Sequence, residues 1–211
     1  MTTLAIAVTG NKNEFVSQAR LFQSYWSARG ERVDLVVLEK APQSVFREGV
    51  QNALGACKTK IDRVAFFCHG TPRALLCGYK TPSTPTLAAA LRRVCTNQLT
   101  VALYSCSTGR TTTEWPWTLA HKSWTFGAVT PGAGFAVNLL NELRLMGVSD
   151  ASIFAHASKG HTTRNPYCYG IELNAPAGLI DRFPLVEKGG PLWKNWIEEM
   201  QTDRRFEVPF E

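Results

Sequence analysis

One histidine and one cysteine are set apart from the rest of the chain by where they fall. His69 is followed by Gly70 just past the apolar run Val64 to Cys68, and Cys106 follows the apolar run Leu99 to Tyr104 after a single serine. A free thiol has a pKa of about 8.5, so it is mostly protonated at neutral pH. A nearby imidazole lowers that pKa or takes the proton as sulfur attacks a carbonyl, and it can then protonate a leaving amine. The chemistry such a pair supports is nucleophilic acyl transfer. Gly70 lets backbone approach a substrate closely, and the Gly70 and Cys106 amides are the candidate donors to a developing oxyanion.

These residues can act together only if the elements before them bring them to one edge. Leu4 to Val8 is a short apolar run of strand type. From Asn13 to Arg29, Phe15, Ala19, Phe22 and Trp26 recur at helical spacing, and Gly30 is a helix stop. Val33 to Leu38 reads as a second strand. Pro42 opens a second helix, with Phe46, Val50, Ala53, Leu54 and Cys57 on one stripe. Val64 to Cys68 is the third strand. Thr84 reads as an N-cap with Pro85 behind it, and Leu87, Leu91, Val94 and Cys95 form the stripe of a third helix. Leu99 to Tyr104 is the fourth strand. Ser107 to Gly134 has no clear period, Phe135 to Met146 is a helix, and Ser152 to Ala155 is a fifth strand. Tyr167 to Leu173 is a candidate sixth strand. A final amphipathic helix is expected at about 191–200, with Trp193, Trp196, Ile197 and Met200 on one stripe.

Continuous apolar strands alternating with helices predict a mostly parallel, roughly six-stranded sheet covered on both faces, a three-layer α/β sandwich. With no repeat, linker or composition break, residues 1–211 read as one domain. In such sheets ligands and chemistry gather at the carboxyl ends of the strands. His69 and Cys106 leave consecutive strands, with one helix between, at that edge.

A hydrophobic strand ending in His-Gly, then a helix, then a hydrophobic strand ending in a small residue and Cys resembles the caspase-like (clan CD) cysteine peptidases. The resemblance covers roughly residues 1 to 160. It implies the caspase-like fold and a catalytic dyad of His69 and Cys106, with Gly70 lining the oxyanion site. It implies a protein or peptide substrate and an activating partner protein, with no cofactor. Caspases carry Gln two residues before the cysteine and metacaspases an acidic residue; Tyr104 stands there in this chain. Neither specificity pocket carries over, and Tyr104 is a candidate substrate contact in its place.

The segment after the fifth strand is dense in polar groups. His156, His161 and Arg164 are candidates to bind substrate or orient the dyad, against a plain polar surface loop. Trp115, Trp117 and Trp124 lie in the aperiodic segment after Cys106, as a lid over the cleft or a satellite core. His121 in that segment is a rival base. Asn11 and Lys12 read as a turn and helix-cap segment.

Composition bounds the rest. The chain has 211 residues, 45% hydrophobic and 19% charged, which excludes wholesale disorder. Its six cysteines form no CxxC pair and no Cys/His zinc spacing, so no metal site is expected, and the reading is a reduced, cytoplasmic protein. The net charge of +6 is unclustered and gives no strong nucleic-acid signal. No apolar stretch approaches the roughly 20 residues of a membrane helix, and the first residues lack the basic region of a signal peptide. Two other readings compete with the peptidase. One is an inactive scaffold or regulatory protein on the same fold. The other is a flavodoxin-like flavin or nucleotide-binding domain, using Val8-Thr9-Gly10-Asn11 as a phosphate loop but without GxGxxG or GxxxxGK[ST].

Overall fold

Strands and helices alternate in the structure as the apolar runs do in the sequence. The computed structural model describes residues 1–9, 14–39, 41–105, 108, 134–155 and 169–170. The element order is β1 (Thr2–Val8), α1 (Glu14–Ser27), β2 (Arg32–Leu38), α2 (Gln43–Gly55), β3 (Ile61–Phe67), β4 (Gly70–Thr71), β5 (Ala74–Leu75) and β6 (Tyr79–Lys80). A single 3-10 turn (Thr81–Ser83) leads into α3 (Thr84–Val94), then β7 (Cys95–Tyr104), α4 (Phe135–Leu145), β8 (Ser152–Ala155) and β9 (Tyr169–Gly170).

The main sheet has the order β2-β1-β3-β7-β8-β9. Its first five strands are parallel, and the two-residue β9 pairs antiparallel to β8. The α/β class and mostly parallel sheet are therefore as expected. The chain starts at β1, steps outward to β2, then crosses back past β1 to β3. Right-handed crossovers in opposite directions put α1 on one face and α2 on the other. The strand order consequently reverses between β1 and β3.

Period-2 alternation divides the core. Leu4, Ile6, Val64, Phe66, Val101 and Leu103 face α2, α3 and α4, together with Val50, Leu87, Leu91 and Leu139. Ala5, Ala7, Ala65 and Ala102 face α1, and these small side chains make room for the fully buried Phe22. Covering a phenylalanine in this way contributes about 1.5–3 kcal/mol. Gly30 follows α1 at φ +80°, as its reading as a helix stop required.

Several boundaries differ from the sequence reading, each for a physical reason. β3 starts at Ile61 rather than Val64, because Arg63 is held inside the fold by Glu31 at 2.7 Å. Cys95 is buried as expected, but as a strand residue paired with Ile61 rather than as the end of α3. The register then shifts, with Arg63 opposite Thr100, so the polar residues 96–98 fall in an irregular stretch and mask the true start of β7. Ser83, not Thr84, is the α3 N-cap. The small antiparallel sheet β4-β5-β6 was not anticipated, since two-residue strands have no period to read. The expected helix at 191–200, most of 107–134 and most of 167–173 lie outside the described residues.

Candidate active site

His69 stands two residues beyond β3, at the carboxyl edge where the strand order reverses between β1 and β3. Crevices at such reversals are where open α/β sheets bind ligands. Phe67 and Cys68 are buried and His69 is exposed, so the chain emerges from the core at the imidazole. The ring meets Phe15, from the start of α1, edge-on at 4.8 Å between centroids and 89° between planes. Alternation along the strand puts Phe67 and His69 on the α1 side and Cys68 on the opposite side.

Immediately after His69 the chain turns into the β4-β5 hairpin. Gly70 pairs with Leu75 and Thr71 with Ala74. The Leu76 amide donates to the His69 carbonyl at 2.9 Å. Gly70 and Leu75 are therefore a non-hydrogen-bonded pair, and the Gly70 N–H points away from β5. The hairpin is docked on α2 through Gly78. At φ +103°, a Cβ there would lie 2.5 Å from the Gln43 carbonyl oxygen and 2.7 Å from the Arg47 amide nitrogen. Only glycine permits both that backbone angle and that approach. The Arg47 Nε donates to the Gly78 carbonyl at 3.0 Å.

The neighbouring strand end comes from β7. Phe67 is in register with Tyr104, and one residue further Cys68 Sγ lies 3.4 Å from Ser105 Oγ. Each member of that buried contact directly precedes a residue of the expected dyad. The Thr108 hydroxyl donates to the Ser105 carbonyl at 3.1 Å. Two amides at the N-terminus of α4 fasten this corner. Ala136 N donates to the Thr108 carbonyl at 3.1 Å, and Phe135 N to the Pro72 carbonyl at 2.7 Å. Thr108 and the α4 N-terminus were missed by sequence reasoning. The Ser-x-x-Thr spacing was the available signal, since a hydroxyl can bond a carbonyl three residues back.

Tyr104 takes a packing place, not a surface one. It is buried, its ring stacked on Phe67 at 4.7 Å and 13° and meeting Phe22 at 5.9 Å. Cys106, His121, His156, His161, Arg164 and the three tryptophans at 115, 117 and 124 lie outside the described residues, as do Asn11 and Lys12. In the segment weighed as a phosphate loop, the Thr9 amide is used in bonding to the Leu38 carbonyl at 2.9 Å. The Thr9 hydroxyl faces the Glu39 carboxylate at 3.4 Å, which repels an anion.

The described thiols at the edge have opposite acidities. Burial pushes the Cys77 thiol well up, and hydrogen bonding to Cys68 adds to that. Burial opposes ionisation of Cys68 as well, but hydrogen bonds from Cys77, Ser105 and the Cys77 and Leu76 amides outweigh it and bring that thiol below its ordinary range. Among the described residues no cluster of three or more His, Cys, Asp or Glu side chains could hold a metal ion. No helix among them is long and apolar enough to cross a membrane. No protein-family model, no curated protein and no solved structure matches this chain.

Proposed function

We propose that the chain is a caspase-like cysteine endopeptidase in which Cys106 is the nucleophile and His69 the general base and acid. One observation carries this reading. Cys68 Sγ and Ser105 Oγ touch at 3.4 Å just past the ends of adjacent parallel strands, and the next residues are His69 and Cys106.

The reaction follows from those roles. The Cys106 sulfur attacks the carbonyl carbon of a protein or peptide substrate while His69 takes the thiol proton. The oxyanion is met by the Gly70 N–H, which the hairpin leaves unshared with β5, and by the Cys106 amide. His69 then protonates the amine as the C–N bond breaks, leaving a thioester. Water, deprotonated by His69, hydrolyses it and restores the thiol. The α4 N-terminus abuts Thr108, two residues past Cys106. A reduced, cytoplasmic setting keeps the Cys106 thiol usable.

Competitive labelling tests the reading. Native protein treated with limiting iodoacetamide is expected to lose Cys106 first, well ahead of the buried Cys68, Cys77 and Cys95. Cys106→Ala is expected to lower hydrolysis of a denatured protein substrate by at least about 10³-fold. Equal labelling of all six thiols, with no hydrolysis by the wild-type chain, would favour the inactive scaffold instead.

A further inference from the structure

The cysteine next to His69 has a partner of its own. The β4-β5 ladder pairs Thr71 with Ala74 and Gly70 with Leu75, and the Leu76 amide reaches the His69 carbonyl at 2.9 Å. One step further on each side stand Cys68 and Cys77, past the last paired residues, with Cys77 in the turn between β5 and β6. Residues that face each other across antiparallel chains stand about 4.5–5.5 Å apart between Cα atoms, inside the range of about 4.4–6.8 Å that a disulfide spans. The two thiols are hydrogen-bonded to each other and share one apolar cluster with Leu75 and Tyr79. Four donors converge on Cys68 Sγ: the Cys77 thiol, the Ser105 hydroxyl and the amides of Leu76 and Cys77. Such a set of donors stabilises a thiolate at one sulfur and leaves its neighbour as the resolving thiol.

We propose that Cys68 and Cys77 are a peroxide-responsive pair that closes to a disulfide at the base of the hairpin carrying His69 and Gly70. Both thiols are buried, so the oxidant must be as small as hydrogen peroxide. The Cys68 thiolate attacks one peroxide oxygen, the O–O bond breaks, and the departing hydroxide takes the thiol's proton to become water. Cys77 then attacks the sulfur of the sulfenic acid. The S–S bond forms, the S–O bond breaks, and that hydroxide leaves as water with the Cys77 proton. Two thiols are oxidised and one peroxide is reduced to two waters.

Closure has a local consequence that rests on the peptidase reading. It draws the Cys68 sulfur from Ser105 toward Cys77, and so loosens the contact that brings the residues before His69 and Cys106 together. Peptidase activity is then expected to fall on oxidation and to return with a thiol reductant.

Peptide mapping of the wild-type chain tests the pairing without reference to activity. Trypsin cuts between the two cysteines, leaving Cys68 in residues 64–73, Cys77 in 74–80 and both Cys95 and Cys106 in 94–110. After hydrogen peroxide, denaturation in excess iodoacetamide and digestion without reductant, 64–73 is expected linked to 74–80. Dithiothreitol should release both. Recovery of the two peptides separately alkylated, of Cys68 only as sulfinic acid, or of 64–73 linked to 94–110 would overturn the pair. If the link forms and no peptidase activity is found before or after it, the redox pair stands and the peptidase reading falls.

Discussion

The two ends of the parallel sheet both place polar side chains in or beside the core, and they treat them in opposite ways. At the amino end Arg63 is 5% exposed and is held chiefly by an ion pair. Its guanidinium meets Glu31 at 2.7 Å and lies 3.9 Å from the Trp26 ring centroid, while Asp62 accepts from the Thr2 amide at 2.9 Å. At the carboxyl end the polar groups are an exposed imidazole, two facing thiols and a serine hydroxyl. The first set is charged and its opposite charges are paired. The second offers an imidazole and thiols, side chains that can give and take protons. Burial of polar groups alone does not mark a site; their remaining chemical capacity does.

The largest expected break in this comparison is at His69. His69→Gln keeps a polar side chain of similar reach against Phe15 but cannot carry a proton between sulfur and amine. Peptide hydrolysis should fall by about 10²–10⁴-fold. The urea midpoint should hold, because the imidazole is exposed. A variant that unfolds more easily yet hydrolyses normally would make His69 a structural residue and erase the contrast between the two ends.

Glu31→Ala should give the opposite pair of results. It strands the Arg63 charge among buried neighbours, where burial already disfavours the charged guanidinium and Glu31 counters that. Removing one partner of a buried pair costs about 3–5 kcal/mol, and the 13% exposure of the Glu31 side chain points to the low end, about 3 kcal/mol. Urea denaturation should show that loss. Hydrolysis per folded molecule should stay within about twofold, since the site lies at the other end of the strands. A large fall in rate with unchanged stability would mean that the amino end communicates with His69.

The same contrast explains what could be read in the sequence. Alternating apolar runs fixed the strands, because a sheet covered on both faces needs apolar residues at every position. His69 and Cys106 stood out because each ends such a run. Arg63 hid the start of β3, since its burial depends on Glu31 from a distant turn and no local pattern reports that. Cys68 and Cys77 read as two hydrophobes; only the hairpin register, set by two-residue strands, turns them into a pair. Tyr104 looked available to substrate because of its position relative to Cys106, but the period-2 rule already assigned it to the α1 face with Phe67. For these residues the missing information was tertiary: which turn meets which strand end.

The smallest effect separates packing from chemistry within the carboxyl end itself. Tyr79, in β6, is 1% exposed, and its hydroxyl is buried without a hydrogen-bond partner. Burial pushes its phenol pKa up, a Cys77 thiolate would push it further, and Arg47 opposes both. In the unfolded chain the phenol ionises near pH 10. The folded chain holds it neutral there, so its contribution is complete below about pH 10 and is lost as pH rises above that. Tyr79→Phe removes the unsatisfied hydroxyl and this alkaline penalty together. Near pH 7 the variant should equal the wild type or exceed it by up to about 1 kcal/mol. The gap should widen above about pH 10, read from urea melts at the two pH values. Cys77 has the same sign of shift in both proteins, so some alkaline loss should persist in the variant. A gap that stays constant with pH would assign the whole alkaline sensitivity of this end to its thiols.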